Sequence, residues 1–108
     1  MAFKITKKPT FTAQVDVYTP NEKCGHDHSK FKASFLRTDV DELDELRKLP
    51  QQDLMRKKLS GWEEFLADDN QPVEFNDDNL EALIRIPEAL HGLSIAFWNS
   101  VVKAREKN

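Results

Sequence analysis

The chain has 108 residues, three Gly, five Pro and one Cys, with 16 basic and 19 acidic side chains for a net charge of −3. At this length one core removes about two thirds of the unfolded surface from water, which leaves no room for a second core. The 39% hydrophobic and 32% charged composition excludes disordered and fibrous classes, and the interleaving of the two charge signs excludes a broad cationic field for nucleic acid.

Phe3 and Ile5 alternate with Lys4 and Thr6 in a short start. From Phe11 to Tyr18, Phe11, Ala13, Val15 and Val17 fall on one side and Thr12, Gln14 and Asp16 on the other, which is strand periodicity. Pro20 to Ser29 reads as a polar loop, and Phe31, Ala33 and Phe35 alternate with Lys30, Lys32 and Ser34 in a second strand. An antiparallel hairpin with a loop of about ten residues follows. Two strands alone are marginal in water, so the Phe and Val face must lie on helices.

Thr38 or Asp39 can cap the next helix, with Asp41 or Glu42 completing a capping box, an apolar side from Val40, Leu43, Leu46 and Leu49, and Pro50 as the stop. A short second helix spans Gln51 to Leu59, with Arg56, Lys57 and Lys58 suited to its C-terminal dipole. From Gly61 to Ala67 a helical turn and an extended piece both fit. Asp68 to Pro72 is a turn by composition. Asn76 then caps a helix with Asp77 and Asp78 in its first turn, and Leu80, Leu83 and Ile84 face inward. Pro87 breaks the chain and opens a last helix, read as running to Lys107.

That last helix carries two apolar stripes. Leu90, Leu93, Phe97, Val101 and Ala104 form one, and Ile95, Trp98 and Val102 form a second. A central helix packed on both sides by its own domain would account for both, and so would a surface for another chain. Trp62 reads as core, and Trp98 is divided between core and interface. The fold class expected is α+β: one domain over 1–108, with a β-hairpin region at 1–37 against a mainly helical region at 38–108 of about four helices.

Cys24, His26 and His28 are weak metal candidates, because a structural zinc site draws four ligands from two separated pairs and the remaining His91 lies on the last helix. No cofactor is expected, and no Ser or Cys stands in a nucleophile context, so a non-enzymatic protein is expected. A lone cysteine permits no internal disulfide, and no segment approaches the roughly 20 apolar residues of a membrane span. Cytoplasm is the default compartment, with neither membrane nor nucleic acid as a partner.

The order of features resembles the tail assembly chaperones of long-tailed bacteriophages. The resemblance rests on a hairpin start, a Leu-rich acidic helix from Asp39 to Leu49, Gly61-Trp62, an acidic turn leading to Pro and Phe between Asp68 and Asn79, and a Pro-broken helix pair with a polar basic tail. Relatives often carry a glycine in the acidic turn, where this chain has Asn70 and Gln71. The resemblance implies a non-enzymatic protein of the host cytoplasm, absent from the mature virion, that binds the tape measure protein and helps bring tail tube subunits to it. A homo-oligomer is left open. The residues expected to make the protein contact are His91, Ile95, Trp98 and Val102. Two rival readings are a small metal-binding regulatory module using Cys24, His26 and His28, and a general protein-interaction adaptor.

Overall fold

The structure, a computed structural model, describes residues 2–5 and 8–102. Three strands and four helices follow in chain order: β1 (Thr10–Pro20), β2 (His26–Leu36), α1 (Val40–Arg47), α2 (Gln51–Lys58), β3 (Leu59–Glu63), α3 (Asp77–Ile84) and α4 (Pro87–Val101). The architecture is α+β, with an antiparallel sheet in the order β1-β2-β3 and the helices mostly C-terminal.

β1 and β2 pair from Thr10↔Leu36 to Pro20↔His26 without interruption. The expected ten-residue loop is therefore only the five residues between the strands, and His26 and His28 lie in β2. Asn21 tightens this turn. Its side-chain oxygen accepts from the Lys23 and Gly25 amides at 2.9 and 3.0 Å, and its amide group donates to Asp27 at 3.1 Å. Cys24 holds the left-handed backbone conformation that the turn requires.

The segment left open between helix and strand, Gly61 to Ala67, begins as β3, which pairs with the inner strand β2. A bulge at Ser60 shifts the register between Ser34 and Phe35, and the Ser60 hydroxyl donates to the Ser34 carbonyl at 3.1 Å. The third strand thus lies within 38–108, the region expected to be mainly helical, largely where helix and strand both fit the sequence. Beyond it, Leu66 bridges to Pro72, and the Trp62 indole donates to the Val73 carbonyl at 2.7 Å while packing edge-on against Phe65 and Phe75.

Helix starts follow the sequence signals. Asp39 caps α1 by accepting from the Glu42 amide, and Asn76 caps α3 by accepting from the Asn79 amide, both at 2.8 Å. Pro87 is the first residue of α4. The inner sheet face, with Val15, Phe31, Ala33 and Phe35, meets Leu46, Leu54, Met55, Leu80, Leu83, Ile84, Leu93 and Phe97 in one core. Phe35 and Phe97 pack edge to face with ring centroids 5.3 Å apart. The outer face stays polar, with Thr12, Gln14, Lys30 and Lys32 exposed.

α4 reaches the sheet at one glycine. The Arg37 amide donates to the Pro9 carbonyl, and the alternation of an antiparallel ladder then turns the even-numbered carbonyls of β1 toward its outer edge. Asp16 is one of these, and a Cβ on Gly92 would stand 2.4 Å from its carbonyl oxygen and 3.2 Å from a Val15 methyl. Backbone cannot yield there as a flexible side chain would, so only glycine lets the helix come this close.

A buried cation ties α2 to α1. Lys58 is 3% exposed; its ammonium donates to the Arg37 carbonyl at 3.0 Å and to Glu42 Oε1 at 3.1 Å. Thr38 donates to the same carboxylate oxygen at 2.8 Å. The Thr38 hydrogen bond first, and the Lys58 bond next, hold the Glu42 carboxyl below its ordinary value.

Two consequences can be measured. In an exposed helix Gly→Ala stabilises by up to about 1 kcal/mol, whereas Gly92→Ala should destabilise by about 1–3 kcal/mol through overpacking, read by urea unfolding. Because the Glu42 value is depressed on folding, its contribution is present above the ordinary glutamate range and is lost as pH falls through the folded value. Glu42→Gln should therefore flatten the decline in unfolding free energy between neutral and acidic pH.

Candidate functional site

α4 divides its surface by angle. At about 100° per residue, Ala89, Gly92, Leu93, Ala96 and Phe97 point inward and are buried, while Ile95 is 47% exposed. Val102, the residue that closes the helix, is 44% exposed. Of the first stripe, Leu93 and Phe97 are fully buried, Leu90 and Val101 are half-buried, and Ala104 lies outside the described residues. The helix ends at Val101, because Val102 is described and leaves helical geometry (φ −135°, ψ 75°), so it stops short of the expected run to Lys107; residues 103–108 lie outside the described residues.

His91, Ile95, Trp98 and Val102 fall within roughly 60° of arc at that helical pitch. The two ends of this arc differ. His91 is exposed, and with Ile95 it forms one wall of an open groove of ≈ 460 Å³, whose other wall is Gln14, Asp16 and Tyr18 of β1. Trp98 is half-buried instead. Its ring packs edge-on against Phe97 at 5.1 Å, and the Arg47 guanidinium of α1 lies 5.5 Å from its centroid. The tryptophan thus joins the core to the exposed arc and presents only part of its surface.

The β1 wall is preset by a small polar network. His28 Nε2 lies 2.9 Å from Asp16 Oδ1, and the His28 ring stacks on Tyr18 with centroids 4.5 Å apart. The hydrogen bond from His28, assisted by Gln14, lowers the Asp16 carboxyl from its usual value against the opposing effect of desolvation. The groove therefore offers aliphatic surface from Ile95 and Ala96 and polar handles from His91, Asn99 and Asp16. Such a combination suits a chain with one apolar edge.

Elsewhere the side chains make structural links. Arg56 forms a two-pronged pair with Glu81 at 2.7 and 2.9 Å and also reaches Asp53 at 2.7 Å, which joins α2 to α3. Gln52 donates to the Ile84 carbonyl at 3.0 Å across the same junction.

The Cys24, His26 and His28 cluster does not converge. Among the described residues no group of three or more His, Cys, Asp or Glu is placed to hold a metal ion. Cys24 is exposed at the turn, and His28 is engaged with Asp16 and Tyr18. No described helix is long and apolar enough to cross a membrane.

Gly92 and the β1 wall have no role in a reading of α4 periodicity alone. A glycine in the middle of a helical pattern was the available signal, since it lowers helix propensity and implies close approach. Gln14 and Tyr18 carry no such mark, because only tertiary packing brings them beside α4.

Fold and surface together define a small α+β domain whose last helix leaves an apolar position, Ile95, open beside β1. The chain belongs to the phage tail assembly chaperone family, whose model matches residues 1–108. No curated protein and no solved structure gives a significant match.

Because the ligand candidates of the hairpin do not converge, saturating zinc should leave the melting temperature of the purified protein unchanged. A rise abolished by Cys24→Ala would show that they assemble in solution.

Proposed function

We propose that the protein is a non-enzymatic tail assembly chaperone of the host cytoplasm, absent from the mature virion, that holds the tape measure protein on the outer arc of α4 and helps recruit tail tube subunits to it. The family supports tail proteins as the class of partner. The observation that carries the surface is the exposure of Ile95 on α4 and of Val102 at its cap, set against the buried inward positions Ala89, Leu93, Ala96 and Phe97. A long helical partner has apolar edges that must be screened before assembly, and helix-in-groove docking beside His91 and Ile95 would screen one.

Aliphatic contacts with a polar rim give release as well as capture, because affinity depends on a few central side chains. His91, Ile95, Trp98 and Val102 are the residues proposed to make that contact. Ile95 is the decisive position, since its exposure allows replacement without opening the core. Co-expression of a tagged tape measure protein with Ile95→Asp should lose the chaperone from the pull-down while the circular dichroism melt stays at the wild-type temperature. Undiminished capture by an Ile95→Asp/Val102→Asp double variant would place the contact elsewhere.

A further inference from the structure

A second groove, of ≈ 370 Å³, opens at the far end of the sheet. Val17 and Phe31 of the strands, Phe65 and Leu66 beyond β3, and Ile86 and Ala89 at the α3–α4 junction line it. Two aliphatic side chains on it stand open, Leu66 at 51% and Ile86 at 46% exposure. Its walls carry Glu64 and Lys30, and Asp68 and Asp69 follow Leu66 in the adjoining turn. From Leu59 to Ile84 the chain has eight carboxylates, between Glu63 and Glu81, and no Lys, Arg or His.

The segment before β1 has the complementary character. Phe3 and Ile5 are 89% and 84% exposed, the two most exposed large apolar side chains among the described residues. They alternate with Lys4, and residues 2–8 contain Lys4, Lys7 and Lys8 and no carboxylate. It is a basic arm with one apolar edge, matched in charge to the acidic stretch that forms one wall of the groove.

The arm does not serve its own groove. β1 carries the chain about 26 Å from Pro9 to Val17 at 3.3 Å per residue. Ile5 lies at most about 14 Å from Pro9 even when fully extended, and the arm would first have to reverse direction. We propose that the groove lined by Leu66 and Ile86 receives the arm of a second copy of this chain, with Phe3 and Ile5 buried in it and Lys4 facing the carboxylates around Leu66. Arm and groove lie at opposite ends of β1, so two copies related by a two-fold axis exchange arms reciprocally and form a closed dimer. The groove uses the Ala89 side of α4 and not the Ile95 arc, so this self-association is separate from the capture of a tail protein.

Light scattering after size exclusion tests it on the full chain alone. Wild type should run as a dimer at high micromolar concentration, and Phe3→Asp/Ile5→Asp should run as a monomer that melts where wild type melts at dilutions that dissociate the dimer, because neither side chain touches the core. Leu66→Asp should also be monomeric. An equimolar mixture of the arm variant and the Leu66→Asp variant should recover heterodimer, since one intact arm meets one intact groove. A wild type that stays monomeric at every concentration would overturn the proposal. So would a dimer that survives the arm substitutions, or one that survives Leu66→Asp.

Discussion

The approach of Gly92 to the Asp16 carbonyl sets the geometry on which the rest of the molecule relies. One missing Cβ lets α4 lie against the outer edge of β1, and from that position the inward arc of the helix reaches Phe35 and the other core aromatics. The same placement decides which arc is left over. Had the helix been held an ångström or two farther out, the Phe97 contacts would loosen and the groove between Ile95 and Tyr18 would lose its shape. Fold and site are therefore two faces of one close contact.

Around this contact the charges act as local ties. Arg56 joins α2 to α3 through Glu81, and Lys58 joins α2 to α1 through Glu42 and the Arg37 carbonyl. The Arg56 network is solvent-exposed, so its geometry orients the helices more than it stabilises them. Lys58 differs because its ammonium is buried, and removing either partner would leave a desolvated charge behind. A Lys at the end of a short basic run reads as a solvated dipole partner. Only the fold shows that the last of the three basic side chains turns inward.

Much of the architecture was legible because its signals are local. The capping side chains Asp39 and Asn76, the break at Pro87 and the two-residue alternation on either side of the hairpin each follow from one stretch of backbone satisfying its own hydrogen bonds. The hairpin loop is shorter than its composition suggests, because His26, Asp27 and His28 are polar yet lie in β2. Their strand conformation comes from pairing with Tyr18, Thr19 and Pro20 and not from any preference of their own. β3 carries no local signal for the same reason, since five residues containing Gly61 become a strand only by docking on β2. At the site, periodicity separated the buried Leu93 and Phe97 from the open Ile95. It could not divide Trp98, whose neighbours Phe97 and Arg47 come from two elements, nor find the β1 wall opposite.

The two margins of the sheet carry a further meaning. β3 is short and bulged at Ser60, and the middle of the β1 margin is occupied by the backbone of α4 at Gly92. Little unpaired main chain remains for a foreign strand to zip onto. Both margins are thereby blunted against the edge-to-edge zipping that seeds cross-β deposits.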